Sequence, residues 1–174
     1  MTPETTQRTF EEAIRGGGVV LFPADTVYGL AVDPGNEDAI ERMYALKGRP
    51  REKKSALMYF RVDAVPGLPG AARKLLPGPV TVVLGDGRGI RVPDQPLLAG
   101  VTIPVLQTSA NPSGGPDPRR LEDVEPRIRD GVDLEIDGGE LPGTPSTVVD
   151  LSGDEPRILR EGAMSAARVR ELLR

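Results

Sequence analysis

Eight short apolar runs, at 19–22, 56–60, 80–84, 90–92, 105–108, 134–136, 147–151 and 157–159, do most to constrain the fold of this 174-residue chain. Each has the length of a strand rather than a helix, and most are bounded by Gly, Pro or Asp. Several follow one another too closely for a helical crossover, which needs roughly a dozen residues, so the sheet they form must be mixed rather than purely parallel. Helical patterns lie between them. Thr2-Pro3-Glu4 opens a helix that carries Phe10, Ala13 and Ile14 and stops at Gly16-Gly17-Gly18. Asn36 caps a second, with Ile40, Met43, Tyr44 and Leu46 at helical spacing up to Lys47. Shorter helices are expected at 71–76, 121–129 and, capped by Ser165, 166–173. The reading is an α/β chain forming a single domain over 1–174, with loops concentrated at 61–70, 85–104 and 137–145, where many of its 18 prolines and 21 glycines fall.

Two absences narrow the chemistry. The chain contains no Cys and no His, which removes disulfides, thiolate nucleophiles, histidine-based triads and histidine zinc sites. The N-terminal residues lack the pattern of a signal peptide and no apolar run reaches membrane-spanning length, so a cytoplasmic protein without a membrane partner is expected. Net charge is −4, yet the segment 47–54 gathers Lys47, Arg49, Arg51, Lys53 and Lys54 against Glu52 alone. A compact cationic site on an acidic protein suits a nucleotide triphosphate better than a long duplex.

Common nucleotide fingerprints are missing: there is no Walker loop, and Gly85-Asp86-Gly87-Arg88-Gly89 has hairpin-turn chemistry rather than dinucleotide spacing. Three other segments carry polar groups, two of them after strands and one, the basic segment, after a helix. Pro23-Ala24-Asp25-Thr26-Val27-Tyr28-Gly29-Leu30 follows the first strand, where open α/β sheets bind ligands; a turn with Tyr28 in the core is the alternative. In the basic segment, guanidinium and ammonium groups match phosphate oxygens, while Gly48 and Pro50 restrain the backbone; a solvated loop is the alternative. Thr108-Ser109-Ala110-Asn111-Pro112-Ser113-Gly114-Gly115 can form an anion-binding concavity or simply a loop. Ser146-Thr147-Val148-Val149-Asp150 and Ile158-Leu159-Arg160-Glu161-Gly162 add polar groups at two later strand ends.

Taken in order, PADTVYGL, KGRPREKK, PGPVTVVL, IRVP, TSANPSG, STVVDL and ILREG resemble the YrdC/TsaC family of threonylcarbamoyl-AMP synthases. The resemblance implies a twisted mixed sheet with flanking helices and a concave basic face. There ATP, L-threonine and bicarbonate or CO2 would give threonylcarbamoyl-AMP and pyrophosphate, the first step of threonylcarbamoyladenosine formation in tRNA. It implies ATP binding by Lys47, Arg49, Lys53, Ser109, Asn111 and Arg160, with Lys47 and Arg49 catalytic, and threonine binding by Thr26, Arg91 and Ser146. Mg2+ would be held mainly by the triphosphate; no metal ligands are inferred from the sequence, where Asp25 and Asp33 fit a turn as well as any other role. A tRNA threonylcarbamoyl transferase complex is the implied recipient of the product.

The chain departs from the family's pattern at Gln95 and near Met58, where histidines are usual, and its 91–109 stretch is short by a few residues. These departures fall on the threonine side. Two other readings are a YrdC-like RNA-binding module that has lost catalysis and a related carbamoyl-adenylate enzyme serving another acceptor.

Overall fold

The structure, a computed structural model, describes residues 2–50, 52, 53 and 55–174; Arg51 and Lys54 of the basic segment lie outside the described residues. Helix α1 (Pro3–Arg15) begins where Thr2 accepts the Thr5 backbone N–H at 3.3 Å and ends before Gly17, whose φ of 79° suits glycine. Strands β1 (Val20–Pro23) and β2 (Tyr28–Val32) form a hairpin. Helix α2 (Glu37–Lys47) is capped by the Asn36 side chain on the Ala39 N–H at 3.0 Å, and Gly48 closes it with φ 58°. Then come β3 (Ala56–Met58), α3 (Gly70–Arg73), β4 (Val80–Val83), β5 (Gly89–Arg91), β6 (Val105–Ser109), α4 (Pro126–Arg129), β7 (Leu134–Glu135), β8 (Thr147–Asp150), β9 (Arg157–Arg160) and α5 (Ala166–Leu173).

The strands join in one mixed sheet, ordered β7-β1-β2-β6-β3-β5-β4-β8-β9. The pairs β1/β7, β3/β5 and β4/β8 are parallel, and the others antiparallel. Side chains alternate between its faces. On one face Leu30, Val32, Ala39 and Met43 pack with Ile128, and further along Val80, Val82, Ile90 and Val149 pack with Ala72 and Val169. Helices α2, α4, α3 and α5 thus cover this face from end to end. The opposite face is covered only in part: α1 brings Phe10 edge-to-face onto Phe22 and Phe60, with centroids 5.7 and 5.6 Å apart, and Met58, Leu98 and Val105 complete that cluster. Truncating a buried Phe of this kind to Ala costs about 3–5 kcal/mol. Past Met58 and Val105 this face carries no helix, and the site lies there.

Three local readings change. Residues 28–32 form a strand rather than the tail of a turn, because Tyr28 and Leu30 bury themselves against α2 while the backbone pairs with β1 and β6. The expected helix at 121–129 is split into a short 3-10 turn (Leu121–Asp123) and α4. Pro126 lacks an N–H and steers Glu125 to ψ 133°, outside the helical region. The expected helix at 71–76 closes after one turn, at Arg73.

Edge strand β9 is fastened by Asp150, which accepts from Arg157 at 2.7 Å and from the Ser152 backbone N–H and hydroxyl at 2.9 and 2.5 Å. The Arg157 bond, followed by those from Ser152, pulls the Asp150 pKa from 3.8 to about 2. Its folded pKa lies below its unfolded one, so this stabilisation is complete above pH 3.8 and is lost as pH falls through about 2. Asp150→Asn is therefore expected to lower the denaturation midpoint at neutral pH, and the gap from the parent should close across that acidic window in parallel urea titrations.

Candidate active site

The uncovered part of the sheet is floored by small side chains. Gly29, Ala56, Gly89, Thr81, Val83 and Val148, from four adjacent or nearly adjacent strands and their neighbour β8, line a cavity of about 320 Å³. The smallness at Gly89 is enforced: a Cβ there would stand 3.3 Å from that of Ala56 and 3.4 Å from the Thr81 methyl. At Gly29 it would press on the Phe22 ring and the Thr108 carbonyl, each at 3.1 Å. The volume falls at the lower end of small-molecule sites.

Among the described residues, three arginines line this cavity: Arg49, Arg91 and Arg160. Arg91 comes up from β5 and is buried, as is Asp25, to which it is ion-paired. Its second terminal nitrogen lies 3.5 Å from the Thr26 hydroxyl, and its Nε, also buried, has no hydrogen-bond partner among the described residues. Burial lowers the Arg91 pKa, the Asp25 carboxylate opposes this, and the charge of Arg160 adds to the lowering. The guanidinium nonetheless keeps its proton. Asp25 is more than a turn residue, since its other oxygen accepts the Asp94 N–H at 3.1 Å. Asp33, by contrast, is one: it accepts the Gly35 N–H at 2.8 Å.

Arg160 reaches the cavity through a defect in β9. Val148 pairs with Arg160 but Val149 with Ile158, so Leu159 is the extra residue of a bulge. In a regular strand residues two apart share a face. Here Ile158 packs on the helix-covered face while Arg160 turns to the cavity, where it donates to the Ser146 carbonyl at 2.7 Å. Leu159 is left 56% exposed as a consequence. The Ser146 hydroxyl lies 2.8 Å from that of Thr81.

Gly48 redirects the chain after α2 so that Arg49 enters the cavity wall, with its Nε donating to the Lys53 carbonyl at 2.9 Å and its guanidinium over the Tyr44 ring at 5.9 Å. Lys47 takes another course. It is buried behind the turn that follows β6, donating to the carbonyls of Ser109 and Asn111 and to the Asn111 side chain at 3.1 Å, which occupies all three of its donors. Burial, then the charge of Arg49, brings its pKa down to about 8 against the opposing pull of Asp117. Asn111 completes the brace by accepting from the Ser109 hydroxyl at 2.5 Å and donating to the Gly115 carbonyl at 2.6 Å.

Of the residues singled out in the sequence, Thr26, Arg49, Arg91, Ser109, Ser146 and Arg160 therefore meet in one cavity. Lys47 and Asn111 stand behind its wall, and Lys53 is exposed outside it. Thr81 and Gln107 escaped sequence reasoning, because no motif separates an inward-facing polar strand residue from an outward one, and Asp117 did so because it lies in a loop without local signal. The glycine hairpin at 85–89 turns as expected, with the Gly87 N–H on the Leu84 carbonyl at 2.8 Å, but Gly87 and Gly89 also line the cavity. Gln95 bonds the Ala24 carbonyl at 3.0 Å and caps a 3-10 turn (Pro96–Leu98) in the shortened stretch, while Met58 is core.

A family model described as "Telomere recombination", Sua5/YciO/YrdC, matches residues 12–162. Threonylcarbamoyl-AMP synthase of Pseudomonas aeruginosa (strain UCBPP-PA14) is 37% identical over 164 residues, covering 79% of this chain and 88% of the relative. The crystal structure of P. abyssi Sua5 complexed with L-threonine superposes with a TM-score of 0.88 at 28% identity, over 99% of this chain and 58% of that one. E. coli YciO gives 0.79 at 27% identity, covering 97% and 93%. With its fold and nearly its whole length matched, the chain belongs to the Sua5/YciO/YrdC family.

Proposed function

We propose that this protein is an L-threonylcarbamoyladenylate synthase, converting ATP, L-threonine and bicarbonate or CO2 to threonylcarbamoyl-AMP and pyrophosphate. The observation that carries the reading is the buried Arg91 beside the Thr26 hydroxyl, its Nε–H without a partner among the described residues, in the same cavity as Arg49, Ser109 and Arg160. One end can take a carboxylate and the other a chain of phosphates. The synthase name of the P. aeruginosa relative and the threonine in the Sua5 crystals support this assignment.

The chemistry needs no protein nucleophile, in keeping with a chain that has neither His nor Cys. The threonine amine adds to CO2 and releases a proton to solvent. A carbamate oxygen then attacks the α-phosphorus of ATP, and the bond to the β-phosphate oxygen breaks to release pyrophosphate. Catalysis is positioning plus stabilisation of phosphate charge. Arg49 and Arg160 offset that charge, Ser109 hydrogen-bonds the nucleotide, and Arg91, Thr26 and Ser146 hold threonine. Lys47 and Asn111 act by bracing the turn that presents Ser109, and Lys53 by its charge near the rim.

Magnesium would supply further charge neutralisation on the phosphates. Among the described residues no three Asp or Glu side chains gather as a metal site, and Asp117 is the acidic residue in the cavity wall. The ion would be carried mainly by phosphate oxygens. The product would pass, in the cytoplasm, to a transferase acting on tRNA, and residues 1–174 would work as one domain. No helix among the described residues is long and apolar enough to cross a membrane. A cavity of about 320 Å³ favours small substrates over the RNA-binding alternative.

Purified protein is expected to release pyrophosphate from ATP only when both L-threonine and bicarbonate are present; release indifferent to threonine would overturn the assignment. A charge-assisted bond contributes about 1.5–3 kcal/mol, so Arg91→Lys should raise the KM for threonine by about tenfold or more with little change in that for ATP. Arg49→Ala should do the reverse. Identical shifts of both constants in both variants would show that the cavity is not divided in this way.

A further inference from the structure

Two of the motifs read from the sequence, Ser146-Thr147-Val148-Val149-Asp150 and Ile158-Leu159-Arg160-Glu161-Gly162, are joined by a side chain that does not itself line the cavity. Thr147 opens β8 and is wholly buried. Its hydroxyl donates to the Met164 carbonyl at 2.5 Å and accepts the backbone N–H groups of Gly162 at 2.9 Å and Met164 at 3.1 Å. A hydroxyl has one proton to give and two lone pairs to share, so this one is fully used.

The stretch it holds has few other ties. Among the described residues β9 pairs with β8 alone, and after the bulge at Leu159 the strand ends at Arg160. Residues 161–165 form neither helix nor strand. They are knitted instead to the start of β8, where the Ala163 N–H also bonds the Pro145 carbonyl at 2.9 Å. Gly162 lies so close that a Cβ on it would stand 2.2 Å from the Pro145 oxygen. The strand end that carries Thr147 is fixed from its other side, where its own N–H bonds the Pro79 carbonyl at 3.0 Å and the Ser146 hydroxyl meets Thr81. Loss of the Thr147 hydroxyl would therefore release the chain after Arg160 and leave Ser146 in place.

We infer that Thr147 is a positioning residue for the nucleotide end of the site: by fixing the chain just beyond Arg160, its hydroxyl sets where that guanidinium stands over the cavity. The inference rests on the proposed use of Arg160 to bind ATP.

The test compares Thr147→Val, which keeps the shape and drops the hydroxyl, with Thr147→Ser, which keeps the hydroxyl, in steady-state pyrophosphate release, with melting curves for each. Thr147→Val is expected to raise the KM for ATP by about tenfold, on the scale of one charge-assisted bond, with little change in the KM for threonine, while Thr147→Ser retains the parental values. In an Arg160→Ala background Thr147→Val should add nothing further to the KM for ATP, because both changes act through the same guanidinium. A parental KM for ATP in folded Thr147→Val, equal rises in both constants, or a full additional loss without Arg160 would each overturn the inference. Gly162→Ala tests it independently: the hydroxyl stays, but the added methyl drives the same segment off Pro145, so the KM for ATP should again rise selectively. A parental value there overturns the inference even if Thr147→Val does not fold. A parent protein that releases no pyrophosphate from ATP with threonine and bicarbonate would overturn the functional reading as well, whereas parental kinetics in the variants would leave that reading standing.

Discussion

A sheet has two faces, and in this protein they serve opposite purposes. The face under α2, α3, α4 and α5 carries Leu30, Val82, Ile90 and Val149, and burying them provides much of the driving force for folding. The other face carries large side chains only where α1 covers it. Elsewhere Gly29, Ala56 and Gly89 strip it to the backbone. The cavity exists because stability is drawn largely from one face, leaving part of the other free to bind ligand.

That division places strict demands on the charges within the cavity. A buried guanidinium is costly unless paired, and Asp25 pairs with Arg91 while also tying down the Asp94 backbone. The pair leaves the Nε–H without a partner among the described residues, a cost that a bound carboxylate would relieve. Lys47 follows the same logic in reverse: its ammonium is satisfied by carbonyls and an amide oxygen of the turn after β6, so it shapes the wall from behind. The cation richest in local sequence signal thus acts as a brace, and Arg49, two residues later, faces the cavity because Gly48 takes a left-handed turn.

The bulge at Leu159 shows how little sequence is needed to redirect a residue. One unpaired position exposes a leucine and turns Arg160 from the packed face to the open one, where it joins Arg91 and Ser146. The open end of the cavity accordingly depends on the fastening of β9 through Asp150, although Asp150 does not line the cavity itself.

The sequence by itself determined most of the elements, because caps and apolar spacing are local: Thr2, Asn36 and Ser165 start helices where expected, and each of the eight apolar runs contributes a strand. It also narrowed the chemistry, since a chain without His or Cys has no imidazole or thiolate to serve as base or nucleophile. Residues 28–32 misled local reading because their strand forms only against β1 and β6. Which side chains meet was settled by the tertiary structure alone. Strand order brings Arg91, Ser146 and Thr26 together from distant segments, a bulge selects the face of Arg160, and helix packing sends Lys47 inward. These outcomes depend on pairing partners and burial, which a residue acquires only when the sheet closes around it.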